Sequence, residues 1–303
     1  MTNISAKYKT LQKDEVHSAM PDDDVVVSVI VPVLHENGVA AALGAHLLHV
    51  SCGIPFELII VCAENYCGEN SGKPDTLSCN TKTESGAGCS GSFASGAVCA
   101  GGRQGHGDVE FCAGKPQTAN AVLTSSVRSI VISAPKGRAR QMNAGAAAAK
   151  GAYLLFLHAD TRLPQQAFTF MAEALERVKA GAFGLSIEDD GLYFRFVERI
   201  ADVRNRLTRT PYGDQAQFFR TDFFHALNGY ADIPIMEDVD IMRRIRRGGH
   251  AVEILKNRVA TSARRWHKEG RLYCSVRNVC LRTLYALGVS PHSLSRWYRA
   301  HRG

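Results

Sequence analysis

Several short stretches of this chain carry side chains that could do chemistry. Asp160 closes His158-Ala159-Asp160, directly after the apolar run Tyr153–Leu157 (YLLFL). Ligands of open α/β sheets sit beyond the carboxyl ends of strands. A carboxylate at such an end could hold a divalent cation, and the cation could neutralise a diphosphate. The same Asp could instead cap the next helix. Glu237 and Asp238 open the amphipathic segment Glu237–Arg247 (EDVDIMRRIRR). Acids in the first helical turn complement the helix dipole. A carboxylate favoured in its charged form there is also what a general base taking a hydroxyl proton requires.

Two further stretches offer binding groups. Thr261-Ser262-Ala263-Arg264-Arg265-Trp266 sets two guanidinium groups before an indole. Arg forks bind phosphate oxygens bidentately, and a Trp face stacks on a sugar ring or covers apolar surface. Tyr212-Gly213-Asp214-Gln215 is a polar turn ahead of a strand. Its carboxylate and amide could bond sugar hydroxyls or form an Asx turn.

The elements that must position these groups are legible as apolar patterns. Val25–Val33 (VVVSVIVPV) and Phe56–Cys62 (FELIIVC) are β-branched and apolar, as expected of strands covered on both faces of a parallel sheet. An Ala/Leu-rich helix spans about residues 39–50, and this β-α-β opening points to a right-handed crossover in a doubly wound α/β sheet. Ser129–Ser133 and Tyr153–Leu157 read as strands, and Arg138–Lys150 as an Ala-rich helix small enough to pack closely on the sheet. A helix follows Leu163-Pro164 to about Lys179; residues 181–187 and 216–219 read as strands. One or two basic amphipathic helices occupy about residues 270–300. The organisation expected is an N-terminal arm (1–24), a catalytic domain (25–269) with an inserted Gly/Cys-rich loop (65–117), and C-terminal helices (270–303).

Composition narrows the class. The chain has 303 residues, 45% hydrophobic and 21% charged, which excludes a disordered, collagenous or disulfide-scaffold protein. No run is long and apolar enough to span a bilayer, and the first residues lack the apolar core of a secretory leader, so a cytoplasmic location is expected. Residues 1–125 carry 7 Lys and Arg against 13 Asp and Glu; residues 126–303 carry 29 against 16. A basic second half points to an anionic partner: a nucleotide diphosphate, nucleic acid or an acidic membrane face. Six of the nine cysteines fall between Cys62 and Cys112, with no CxxC pair and no zinc spacing, so thiols are expected.

Taken together, VSVIVPVLHENG, GRARQMNAGA, LLFLHADTRLP, YGDQAQFF, PIMEDVDIMRRI and TSARRW resemble the inverting family 2 glycosyltransferases of GT-A fold. Within that family they resemble a small bacterial subgroup associated with radical-SAM and selenium-related domains, often labelled diaponeurosporenoate glycosyltransferase-like. The resemblance spans about residues 26–62 and 128–298. It implies that Pro32 and Glu36 contact the base and ribose, and that Arg138 lies near the nucleotide. His158-Ala159-Asp160 takes the place of the family's DxD motif, with Asp160 on Mg or Mn and the diphosphate, and His158 a second ligand or a bystander. Asp214 and Gln215 would line the sugar or acceptor pocket. Asp238 would be the catalytic base with Glu237 beside it. Arg264, Arg265 and Trp266 replace the element that grips the diphosphate. The implied donor is a nucleotide-diphosphate sugar, first a UDP-sugar; the acceptor is unknown, a lipid or carotenoid being one candidate. No nucleic acid is implied. Peripheral membrane contact through the basic end, Arg296-Trp297-Tyr298-Arg299 and Arg302, is a further expectation.

Two positions depart from the family pattern. Cys62-Ala63-Glu64-Asn65 stands where an Asp-Gly-Gly-Ser run usually reads the nucleotide, and His35 stands where Asn is common. The alternative is therefore a catalytically inactive GT-A module that binds a partner or a membrane.

Overall fold

The computed structural model describes residues 25–35, 38–64 and 128–298. Glu36, the inserted loop expected at 65–117, the N-terminal arm, Arg299 and Arg302 lie outside the described residues. Strand β1 (Val27–Val33) is followed by helix α1 (Val39–Val50) and β2 (Phe56–Ala63). Then come β3 (Arg128–Ala134), α2 (Arg138–Ala148), β4 (Tyr153–Phe156), the two-residue β5 (Thr161–Arg162) and α3 (Ala167–Arg177). The second half adds β6 (Ala180–Glu188), α4 (Leu192–Thr208), β7 (Phe218–Arg220), α5 (Thr221–Ala226), α6 (Glu237–Arg247) and β8 (Val252–Ser262). Three helices close the described chain: α7 (Arg264–Glu269), α8 (Arg271–Ala286) and α9 (Pro291–Ser295).

The strands form one sheet in the order β3-β2-β1-β4-β7-β6-β8-β5. Its first four strands run parallel, as the apolar runs predict, and β7 is antiparallel to both its neighbours. Alternation along the strands divides the core. Val27, Val29, Val31 and Val33 of β1 face one apolar layer with α1 and α3, while Ile30 faces the other with α2, α5 and α6. A strand buried on both faces has few polar positions, which is why β1 and β2 read as nearly continuous hydrophobic runs. The polar pair they carry, Ser28 and Glu57, is buried and satisfied, Ser28 Oγ donating to Glu57 Oε1 at 2.6 Å.

The Ala-rich character of α2 has a direct packing reason. A Cβ added at Gly145 would lie 2.4 Å from Ile30 Cγ2 and 3.1 Å from Val61 Cγ2, so only glycine lets the helix approach this closely. Gln141, buried on the same helix, donates from Nε2 to Val33 O at 2.6 Å and to Val61 O at 2.7 Å. It ties the carboxyl ends of β1 and β2 to the helix that brings Arg138 to them.

Sequence periodicity did not disclose everything. The helix expected from Leu163 begins at Ala167: Leu163 precedes a proline, which disfavours helical backbone there, and the N-cap Gln166 is left-handed (φ 59°). Strand β8 (VEILKNRVATS) carries a mixed, largely half-buried surface and is held by its parallel pairing with β6. No helix among the described residues is long and apolar enough to cross a membrane.

Candidate active site

β1 and β4 pair in parallel from Val27↔Tyr153 to Ile30↔Phe156, so their carboxyl ends emerge side by side. A cleft opens there. It is lined by Pro32, by Phe156, Leu157 and His158 at the end of β4, by Arg138 and Met142 of α2, and by Gly213, Tyr230 and Asp238.

Asp238 enters the cleft from the first turn of α6. Its Oδ2 accepts from Gly213 N at 2.6 Å and its Oδ1 from Val239 N at 2.8 Å. Each carboxylate oxygen keeps a lone pair for another donor. Gly213 is confined: a Cβ there would lie 2.4 Å from Arg138 Nη2 and 3.2 Å from Asp238 Oδ2. The turn Gly213–Gln215 can therefore touch both groups only because position 213 has no side chain.

Arg138, the first residue of α2, joins three elements. Its Nη2 lies 2.8 Å from His158 Nε2 and its Nε 3.1 Å from Glu237 Oε1. A guanidinium can only donate, so His158 Nε2 accepts and the ring proton is assigned to Nδ1. Burial, then Arg138 and Arg265, push the imidazole well below its ordinary value, which keeps it neutral. Glu237 is 3% exposed, and its burial raises its carboxyl despite the opposing charge of Arg138. Asp214 is likewise pushed up by burial, against the pull of Arg204 and with a push from Asp238. Its Oδ1 is buried without a hydrogen-bond partner among the described residues. A polar atom left so beside a cleft is a natural point for a ligand donor.

The expected site residues separate into two groups. Pro32, Arg138, His158 and Asp238 meet in the cleft, with Glu237 against Arg138. Arg265 is exposed, bonds the Tyr298 hydroxyl, and acts on the charges of His158 and Asp214. Gln215 is fully buried. Its Oε1 accepts from Arg204, Asn205 and Tyr212 N, and its Nε2 donates to Phe183 O, so it braces the turn instead of facing a ligand. Trp266 turns the other way: Nε1 donates to Ser275 Oγ at 3.1 Å and the indole packs edge-on against Phe194 at 5.9 Å. Arg264 is exposed, and its backbone N donates to Ser262 Oγ at 3.2 Å.

Asp160 stands two residues past His158, exposed and without a side-chain partner among the described residues, and it does not line the cleft. No three His, Cys, Asp or Glu of the described residues gather as a metal site. A single unpartnered carboxylate still suits a cation that takes its other oxygens from phosphates and water. Cys62 is buried in the sheet and Glu64 is exposed beyond it.

Two residues escaped the sequence reading. Tyr230 lines the cleft and donates to Gln217 Oε1 at 2.9 Å; Gln217 Nε2 in turn donates to Asp238 O at 3.2 Å. Burial, with Asp238 and Glu237 nearby, raises the Tyr230 phenol well above its ordinary value. The only local signal was an aromatic after Asn228-Gly229, a turn pair that any loop could carry.

Residues 116–231 match the model of Glycosyl transferase family 2. That match and the mostly parallel, doubly covered sheet agree with the α/β, GT-A class expected from the sequence. Among solved structures the chain is similar to the mannosyltransferase PcManGT from Pyrobaculum calidifontis in complex with GDP-Man and Mn2+. The identity is 14%, over 84% of this chain and 62% of that one, with a TM-score of 0.48. It is also similar to S. aureus TarS 1-349, at 12% identity over 79% of this chain and 61% of that one, with a TM-score of 0.46. The same TarS fragment with UDP-GlcNAc gives 13% identity, 78% and 58% coverage and a TM-score of 0.46. The chain thus spans about three fifths of the length of each. No curated protein matches it.

Proposed function

We propose that this chain is an inverting glycosyltransferase that moves a sugar from a nucleotide-diphosphate donor to an acceptor hydroxyl. The observation that carries the reading is the placement of Asp238: half-buried, fixed by two backbone N–H groups, in a cleft at the carboxyl ends of two parallel strands. The family match over residues 116–231 supports the reaction class.

In this mechanism Asp238 accepts the acceptor O–H proton as that oxygen attacks the anomeric carbon. The bond from that carbon to the diphosphate breaks on the opposite face, and its electron pair leaves with the phosphate, so a single displacement inverts the centre. Arg138 and Arg265 present fixed positive charge to the departing oxygens. His158, neutral, holds Arg138 without competing for the phosphate as a cation would. Asp214 offers its unpartnered oxygen to a sugar hydroxyl. Asp160 would hold Mg or Mn together with diphosphate oxygens, where the ion supplies charge to the leaving group. Pro32 borders the base, and a UDP-sugar is the first donor to try. The motifs further suggest the subgroup with a lipid or carotenoid acceptor.

Asp238→Asn should lower product release by at least about a hundredfold, since the amide cannot take the proton. It should also cost about 1–2 kcal/mol of stability, since its NH2 cannot accept from one of the two backbone N–H groups. Full activity of that variant would remove Asp238 as base. A second reading, a module that binds without catalysis, draws on Cys62 in the usual place of an acid and on Asp160 lying outside the cleft lining. Titration with UDP, GDP and dTDP plus manganese separates the two: absence of heat with all three favours a module for another partner.

A further inference from the structure

Among the described residues, helix α4 leaves an apolar face uncovered. Leu192, Phe196, Ile200, Val203 and Leu207 are between 48% and 87% exposed. At 100° per residue they form one continuous stripe along a helix about 25 Å long. Arg199 and Arg206 run beside the stripe, exposed and without a protein partner among the described residues. The acids of α4 point elsewhere: Glu198 is buried against Ile187 N, and Asp202 pairs with Arg258.

Helix α8 repeats the pattern. Leu272, Val276 and Val279, with Leu287 just beyond its end, are 59% to 76% exposed, and α8 contains no acid. The two helices lie side by side and run the same way. Near their starts Tyr193 donates to Arg271 O and Ser275 Oγ, both at 2.7 Å. Near their ends Arg204 and Arg282 share the Tyr212 ring, at 3.6 and 5.4 Å. These lateral contacts lie roughly 70–90° around each axis from the exposed stripe, in opposite senses, so both stripes face the same direction.

We infer that the α4–α8 face docks on the surface of an anionic lipid bilayer. The apolar stripes enter the headgroup region and the flanking arginines meet lipid phosphates, the arrangement of an in-plane interfacial helix. Charge selects this occupant over a second copy of the chain. Two such faces pressed together would set Arg199 and Arg206 against each other with no exposed acid from either helix to receive them. Trp297, 65% exposed at the end of the described chain, belongs to the Trp/Arg segment for which membrane contact was expected; its neighbour Tyr298 turns inward to Arg265.

The full chain should float with phosphatidylcholine vesicles containing about 30 mol% phosphatidylserine and much less with phosphatidylcholine alone. Phe196→Glu combined with Val276→Glu should lower the bound fraction at least about tenfold. Arg199→Glu combined with Arg206→Glu should do the same, roughly a hundredfold, from the charge lost at the surface. All four positions are exposed, so circular dichroism and Tm should stay unchanged. No flotation with anionic vesicles, or flotation indifferent to both pairs, would overturn the inference. So would a dimer in sedimentation that Phe196→Glu dissociates, since that assigns the face to a second copy. Flotation does not depend on catalysis, so the sugar-transfer reading stands or falls separately.

Discussion

Gly213→Ala perturbs the cleft through one methyl group. Gly213 does not have a positive φ, so alanine fits its backbone and any effect must come from contact. The new Cβ would lie 2.4 Å from Arg138 Nη2, and restoring van der Waals separation needs a retreat of about 1 Å. Arg138 is the flexible partner, and moving it stretches its 2.8 Å bond to His158 and its 3.1 Å approach to Glu237. Glu237 is buried, so weakening its partner should cost about 2 kcal/mol. For a chain of this size that corresponds to a fall in Tm of about 5 °C. Displacement of a charged group by about 1 Å in the reacting cleft should lower transfer roughly a hundredfold. Calorimetry and nucleotide-release kinetics read the two effects. In an Arg138→Ala background Gly213→Ala should add less than about 0.5 kcal/mol, because the shared partner is already gone. Undiminished Tm and transfer in Gly213→Ala, or full additivity in the double variant, would refute the contact as the link between this turn and the arginine.

The depressed imidazole of His158 means that the unfolded chain binds its proton more readily than the folded one, so stability should fall as pH drops below about 6.5. Denaturant midpoints between pH 5 and 7 should show that slope, and His158→Gln should flatten it. The raised carboxyls of Glu237 and Asp214 act in the opposite sense: their contribution is present at low pH and fades as pH rises above the ordinary carboxylate range. Asp160→Ala should leave Tm unchanged, its side chain being exposed and unpartnered, yet weaken manganese-dependent donor binding in titration calorimetry; unaltered binding would take the cation away from this residue. Gln141→Leu removes two buried hydrogen bonds, to Val33 O and Val61 O, and should cost about 2–3 kcal/mol in chemical denaturation.

The sequence by itself determined the elements whose burial is written locally. β1 and β2 are covered on both faces, so nearly every position is apolar and the run is visible without context; the exceptions, Ser28 and Glu57, are buried and hydrogen-bonded to each other. Helix α6 was legible to the residue, since its apolar face, first-turn acids and last-turn arginines are all local signals. Only the tertiary structure decided how groups far apart in the chain meet. Arg138, His158 and Glu237 come from three elements, and no window along the chain contains them together. The same holds for Arg265 and Trp266, adjacent in sequence but turned to different neighbours by successive steps of about 100° on one helix. Strand β8 and the stripe on α4 were hidden for a related reason. A strand with a half-wet surface, or an apolar stripe that faces outward, has a pattern whose meaning depends on what lies opposite it.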